Sequence, residues 1–330
     1  MSTDDFENRL RSALARHLGG AVTLQDVQRL TGGANKTTWS FDAEIDGARR
    51  PFILQLATNI VDPVAGLTPH VDPEQDARVM IAAVAAGVPA PRVAAILEPA
   101  DGLGHGYLTE RVDGETLGAR IVRDQQFAAA RTVMARQCGE ILAAIHSIEL
   151  PRVAFLMRQD AAEQIEAHRR IVDHFGYQVP ALELALRWSA ENAPANPRHT
   201  VVHGDFRTGN LIVGDGGVRC VLDWELAQSG DPMQDLGWLC VKTWRFGGRL
   251  PVGGFGTRED LFAAYERASG YSVDPRHVRF WEAFGNVKWA IDCLRLATRG
   301  VEEVGIERSA IGRRIEEPLW DFLNLIEGRE

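Results

Sequence analysis

Lysine is nearly missing from this chain of 330 residues: of its 36 basic residues only Lys36, Lys242 and Lys288 are lysines, and the rest are arginines. Positive charge is short as a whole, since 45 acidic residues leave a formal net charge of −9 and a pI of about 5.6. There is no basic stripe to follow a phosphate backbone or an anionic surface, so neither nucleic acid nor membrane is an expected partner. Cysteine is scarce too. Cys138, Cys220, Cys240 and Cys293 stand far apart without metal-ligand spacing, which suits free thiols in a reducing cytoplasm. The most apolar run, Val79–Ala90, is too short to cross a bilayer. The start, Met1-Ser2-Thr3-Asp4-Asp5-Phe6-Glu7, is acidic and unlike a secretory signal. There are no internal repeats and no low-complexity segment, and 45% hydrophobic with 25% charged residues is an ordinary globular balance. The length is enough for two cores.

What is present is a cluster of chemistry-bearing residues in one stretch. His203-Gly204-Asp205-Phe206-Arg207-Thr208-Gly209-Asn210 is followed by Asp223-Trp224-Glu225. Apolar segments Thr200–Val202 and Leu211–Val213 read as short strands, Gly214-Asp215-Gly216-Gly217 as a turn, and Val218–Leu222 as a returning strand that carries Asp223 at its end. A loop and a hairpin end therefore bring Asp205, Asn210 and Asp223 together. Phosphoryl transfer asks little covalent help of a protein. It needs a carboxylate to orient a hydroxyl and take its proton, and oxygen ligands to hold Mg²⁺ on the phosphates. The alternative, that these side chains only cap turns, does not account for a three-part match.

These residues resemble the aminoglycoside phosphotransferase family, in the branch related to kinase-like domains associated with acyl-CoA dehydrogenases. Val221-Leu222-Asp223-Trp224-Glu225-Leu226-Ala227, Gly230-Asp231-Pro232 and Asp235-Leu236-Gly237-Trp238 extend the likeness, which runs from about residue 26 to the C-terminus. The resemblance implies an α+β, two-lobed protein-kinase-like fold, with a small β-rich N-terminal lobe over residues 1–110 and a larger, mainly helical lobe over 111–330. It implies ATP and Mg²⁺ as cofactors, Asp205 as the catalytic base, Asn210 and Asp223 as metal ligands, and Asp235 as a brace for the loop. The backbone at Glu110 and Val112 would meet adenine. The acceptor would be a hydroxyl of a small molecule, in this branch a hydroxy acid or hydroxyacyl-CoA before an aminoglycoside.

Upstream, Val27–Leu30 and Thr37–Ile45 read as strands around Thr31-Gly32-Gly33-Ala34-Asn35. Gly32, Gly33 and Asn35 are candidates for covering phosphates with backbone amides, although Gly-Gly also makes plain hairpins. The strand Pro51–Ala57 departs from the family pattern. Gln55 stands where the resemblance calls for a Lys or Arg on the phosphates, and the helix Pro73–Ala86 has Asp76 in place of its Glu partner, with Glu74 as a substitute. That double loss motivates a rival reading, a nucleotide-binding pseudokinase acting through interactions. Two residues offer a replacement charge. Lys36 reads first as a solvated hairpin lysine and otherwise as a phosphate-reaching cation. Arg207 fits a bidentate phosphate contact or a structural salt bridge about equally.

Elsewhere, His146 shares a helical face with Ile141, Leu142 and Ile145 and is expected to be a satisfied core histidine. Trp238, Trp244, Trp281 and Trp289 are expected mostly in the core. Trp244-Arg245-Phe246, ahead of the glycine-rich stretch Gly247–Gly256, is a candidate wall for the acceptor.

Overall fold

A computed structural model of the chain describes residues 3–30, 36–58, 63–195, 197–298 and 310–329, apart from the side chains of Thr3 and Arg313. Gly32, Gly33 and Asn35 lie outside the described residues. The chain opens with helix α1 (Thr3–Leu18) and the strands β1 (Val22–Leu30), β2 (Lys36–Ile45) and β3 (Ala48–Ala57). Helix α2 (Pro73–Ala85) and the strands β4 (Val93–Ile96) and β5 (Gly106–Glu110) complete the first lobe. The five strands form one antiparallel sheet in the order β1-β2-β3-β5-β4. Asp46-Gly47, both at positive φ, make the two-residue turn between β2 and β3, the chemistry that a tight hairpin demands.

Alternation along these strands separates a core face from a site face. Phe41, Ala43, Phe52, Leu54 and Leu108 pack against Phe6, Leu10 and Leu14 of α1. The opposite face presents Lys36, Thr38, Ser40, Ile53, Gln55 and Tyr107 to a cleft. Helix α2 starts at a reciprocal capping box, in which Asp72 Oδ1 accepts from the Gln75 amide (2.8 Å) and Gln75 Oε1 from the Asp72 amide (3.2 Å). With Pro73 at its first position, the start of the helix is pinned, and Asp76 faces the sheet one turn in.

The second lobe is mainly helical: α3 (Gly118–Arg123), α4 (Ala128–Ile145), α5 (Ala161–Phe175) and α6 (Pro180–Asn192) precede the functional loop. Then come β6 (Thr200–Val202), β7 (Leu211–Gly214), β8 (Gly217–Val221) and β9 (Gln228–Gly230). They pair as two small antiparallel units, β6 with β9 and β7 with β8. Helices α7 (Met233–Cys240), α8 (Arg258–Ser269), α9 (Pro275–Thr298) and α10 (Glu316–Ile326) follow. Helix α9 carries Val278, Trp281, Phe284, Val287 and Ile291 into the core, as befits a helix surrounded by others. Among the described residues no helix is long and apolar enough to cross a membrane. The architecture is the two-lobed kinase-like fold that the sequence implied.

Candidate active site

The loop between β6 and β7 is held from behind by a single carboxylate. Asp235, on the first turns of α7, accepts from the His203 amide (2.8 Å) and the Gly204 amide (3.0 Å). His146 donates from Nε2 to the same carboxylate (3.2 Å) and is itself bonded at Nδ1 by the Tyr265 hydroxyl (3.0 Å). Burial would push the Asp235 carboxyl up, but His146 and the loop amides hold it below the usual range. His146 is thus buried and satisfied, and its partner makes it part of the brace. His203 donates from Nε2 to Leu222 O (3.1 Å) and accepts at Nδ1 from the Asp205 amide (3.2 Å). That neutral form fits its fully buried ring, since burial lowers its pKa. Gly204 sits at φ +80°, and a Cβ there would lie 2.3 Å from Leu226 O, so only glycine fits.

Asp205 projects from this loop and is 9% exposed. Its Oδ1 accepts from Trp238 Nε1 (2.8 Å) and Arg207 Nε (3.0 Å), and its Oδ2 from Asn210 Nδ2 (2.7 Å) and the same Arg207 Nε (3.1 Å). Arg207 therefore makes the salt bridge that was one of its two readings, while its guanidinium lies 4.6 Å over the Trp244 ring. Asn210 spends its Nδ2 on Asp205, on both the carboxylate and the backbone oxygen (3.0 Å), which leaves its carbonyl oxygen for a ligand. Asn210 O accepts from the Leu222 amide (2.8 Å), so Asp223 follows directly beside it. Asp223 has φ +64°, an uncommon backbone for aspartate and one that recurs at functional positions. Its side chain opens onto the cleft, 41% exposed, yet lies deep among protein atoms. Burial first, then the Glu225 carboxylate, push its pKa up to about 7 against the pull of Lys36. One hard carboxylate and one amide oxygen, side by side, fit the ligand preference of Mg²⁺, which takes one or two protein ligands and fills its shell with phosphate and water.

Lys36 overturns its first reading. It is no solvated hairpin lysine: its side chain is 8% exposed, with Nζ 2.6 Å from Asp76, 3.0 Å from Glu225 and 3.6 Å from Asp223. Burial lowers its pKa, but the surrounding Tyr107, Asp76, Glu225 and Asp223 outweigh that and hold the ammonium well above its usual value. The Tyr107 hydroxyl donates to Asp76 Oδ2 (2.7 Å) and touches the Gln55 amide. Burial, reinforced by Asp76, raises the Tyr107 pKa and keeps the phenol neutral. The cation that Gln55 lacks is thus supplied from β2. Lys36 lies opposite Ala57 and two residues from Thr38, the cross-strand partner of Gln55, so it is a diagonal neighbour on the same sheet face. Glu74 is no substitute for Asp76, because it pairs with Arg78 on the outer surface (2.7 Å).

The cleft between the lobes measures about 1230 Å³. Val27 and Ile53 face it from the sheet, Ile212 and Leu222 from the second lobe, and Met80 and Pro91 from its side, an apolar slot suited to a flat ring. Glu110 and Val112 line it too. The Glu110 amide is already spent on Arg92 O (2.9 Å), whereas neither backbone group of Val112 is hydrogen-bonded among the described residues. The stretch Gly247–Gly256 borders the loop, since the Thr208 hydroxyl donates to Gly253 O (3.0 Å). Trp238, Trp244 and Trp281 are buried as expected. Core packing concealed the Trp238 bond to Asp205 and the Tyr107 bond to Asp76, neither of which sequence reasoning found.

Comparison with known proteins bears on the fold and the family. Acyl-CoA dehydrogenase family member 10 of Mus musculus is 29% identical over 254 residues, which cover 72% of this chain but only 22% of that protein. The chain therefore spans about a fifth of that relative's length. A solved structure of a provisionally assigned aminoglycoside phosphotransferase from Ralstonia eutropha superposes with a TM-score of 0.73, at 22% identity, covering 96% of this chain and 97% of the other. Spectinomycin phosphotransferase in complex with ADP and spectinomycin superposes with a TM-score of 0.63, at 14% identity, covering 96% and 98%. At such identities these two establish the shared fold. The family model stops at residue 281, short of the C-terminus to which the resemblance was expected to run. Its match over residues 26–281 nevertheless takes in most of the sheet, the cleft and the whole loop between β6 and β7, and the chain belongs to the phosphotransferase enzyme family.

Proposed function

We propose that this chain is an ATP- and Mg²⁺-dependent kinase of a hydroxyl group on a small molecule, with nucleotide held by residues 1–110 and acceptor and chemistry by 111–330. The observation that carries the reading is the Asp205 carboxylate, held by Trp238, Asn210 and Arg207 beside Asp223. In this reading Asp205 takes the proton of the acceptor hydroxyl as its oxygen attacks the γ-phosphorus. The bond to the leaving ADP breaks, and the proton passes to solvent. Mg²⁺ held by Asn210 and Asp223 would neutralise charge on the phosphates. Lys36 binds the phosphate oxygens in place of a β3 cation, with Gln55 beside it. Arg207 turns its guanidinium toward the transferred group, Gly32, Gly33 and Asn35 cover the phosphates, and Glu110 and Val112 meet the base through their backbone.

The pseudokinase rival rested on Gln55 and Asp76, and the ion pair of Lys36 with Asp76 removes much of its motive. For the acceptor, the charged groups set on tryptophan faces near Asp205 are cations, Arg207 over Trp244 and Lys288 over Trp238. The buried Glu282 is neutralised by Arg245 and Arg258. Such a surface favours a hydroxy acid or a hydroxyacyl-CoA over a polycationic aminoglycoside. An ADP-release screen of hydroxy acids, their CoA thioesters and kanamycin-like compounds tests this. Turnover of the aminoglycosides alone would overturn the acceptor class, and no turnover together with no stabilisation by nucleotide would overturn the kinase reading.

A further inference from the structure

Of the donors on Asp205, two have other employment in a kinase. Arg207 is drawn toward phosphate, and Asn210 carries a ligand oxygen on the same amide that grips Oδ2. Trp238 has none. Its indole N–H meets Oδ1 at 2.8 Å, the side chain is 5% exposed, and an indole nitrogen donates only. Its ring is in turn held by its neighbours. Trp244 packs at 5.2 Å between centroids. Lys288 Nζ stands 4.7 Å over the ring and donates to Gly204 O (3.1 Å), the carbonyl just before Asp205. Gly285, one helical turn before Lys288 on α9, lets the indole lie close: a Cβ there would come within 3.0 Å of Trp238 Cε3 and 2.7 Å of Val241.

We infer that Trp238 is the positioning residue of the catalytic base, holding the Asp205 carboxylate in one rotation whether or not Arg207 stays on it, and that Lys288 strengthens this hold through the indole. A cation over the ring face draws density from it and makes the N–H a better donor. The ammonium also ties α9 to the loop backbone, so base, indole and helix move together. This rests on the reading of Asp205 as the base, but the contact itself is measurable without turnover.

The test combines indole ¹H–¹⁵N spectra with steady-state kinetics. The Trp238 indole signal, identified by its loss in Trp238→Phe, should lie downfield among the eight tryptophans and move upfield in Asp205→Ala. It should move less, in the same direction, in Lys288→Met. Trp238→Phe should lower kcat ten- to a hundredfold with KM for ATP unchanged, and Trp238→His, which returns a ring N–H, should recover part of the loss. An indole signal indifferent to Asp205→Ala overturns the inference, as does a Trp238→Phe enzyme with wild-type kcat. Should Trp238→Phe fail to fold, the Lys288→Met spectrum and kcat decide in its place, and an unchanged spectrum with unchanged kcat counts against the inference. If no acceptor is ever turned over, the spectra still judge the contact, and it is then the kinase reading that fails.

Discussion

The sharpest consequence of the site concerns Lys36. Truncating it in Lys36→Met leaves Asp76, whose side chain is 1% exposed, without its cation, beside Glu225 and Asp223 that share the same ammonium. Removing one member of a buried ion pair costs about 3–5 kcal/mol, because the partner charge stays buried. At roughly 2 °C per kcal/mol for a chain of this size, that is a fall in Tm of about 6–10 °C. A control is at hand in Lys242→Met. Its pair with Asp321 has a lysine side chain 61% exposed, and surface pairs contribute at most about 1 kcal/mol. Asp76→Asn added to Lys36→Met should restore part of the stability, since the amide is no uncompensated charge.

The same variant should bind ATP about ten- to a hundredfold more weakly, the worth of a charge-assisted contact of about 1.5–3 kcal/mol. Because Gln55 and Lys36 converge on the Tyr107–Asp76 pair from neighbouring strands, the cation should be portable. Lys36→Met/Gln55→Lys should regain most of the lost affinity, whereas Gln55→Lys alone should add little to an already satisfied site. Differential scanning fluorimetry gives Tm, and titration calorimetry gives the ATP affinity. A Lys36→Met protein with unchanged Tm and unchanged ATP affinity would refute the reasoning, and a double variant no better than the single would refute the transplant.

Asp205→Ala should abolish transfer in the ADP-release assay while leaving nucleotide affinity within a fewfold of wild type. ATP at a hundredfold excess over Kd should stabilise the protein by about 2.7 kcal/mol more effectively with Mg²⁺ than without, and Asp223→Asn should remove most of the difference; equal metal dependence in the variant would count against Asp223 as a ligand. The His168 ring is 3% exposed, and burial lowers its pKa to about 4 from 6.5. The unfolded chain then binds a proton below pH 6.5 that the folded one refuses, so stability falls as pH drops toward 4, by about 3 kcal/mol at 1.36 kcal/mol per unit. His203 is shifted in the same direction, so urea melts of His168→Met should show a shallower acid loss than wild type, and an identical slope would be the contrary result.

The parts legible in the sequence were those whose chemistry is local. His203 to Asn210 and Asp223 to Glu225 are close in the chain, and their hairpin fixes the rest, since β7 and β8 pair with Leu211 opposite Val221. Asp235 was placed as a brace by the family resemblance alone, and its carboxylate does accept from the His203 and Gly204 amides. The helix bearing Asp76 was expected over Pro73–Ala86 and is found over Pro73–Ala85, where a capping box that the sequence reading did not pick out fixes its start. What could not be read were contacts made by long side chains across elements. The Trp238 indole crosses to a residue 33 positions away, and the Tyr107 hydroxyl to one 31 away. In both cases the residue type is ordinary core material, and nothing in its spacing announces a polar partner.

Lys36 shows the deeper reason. A family pattern records on which strand a charge usually sits, but the phosphates and Asp76 respond only to where the ammonium ends up. Four methylenes are long enough to carry it from a neighbouring strand to the same point. On an antiparallel sheet the residue diagonal to Gln55 faces the same way, so a lysine can change strands while its charge keeps its place. Position 55 then carries a neutral amide that meets the Tyr107 hydroxyl, and Asp76, where a Glu was expected, pairs with Lys36. On the proposed reading, the two departures that look separately like a lost clamp are one rearrangement of it. The portable cation in Lys36→Met/Gln55→Lys is the measurement that tells the two descriptions apart.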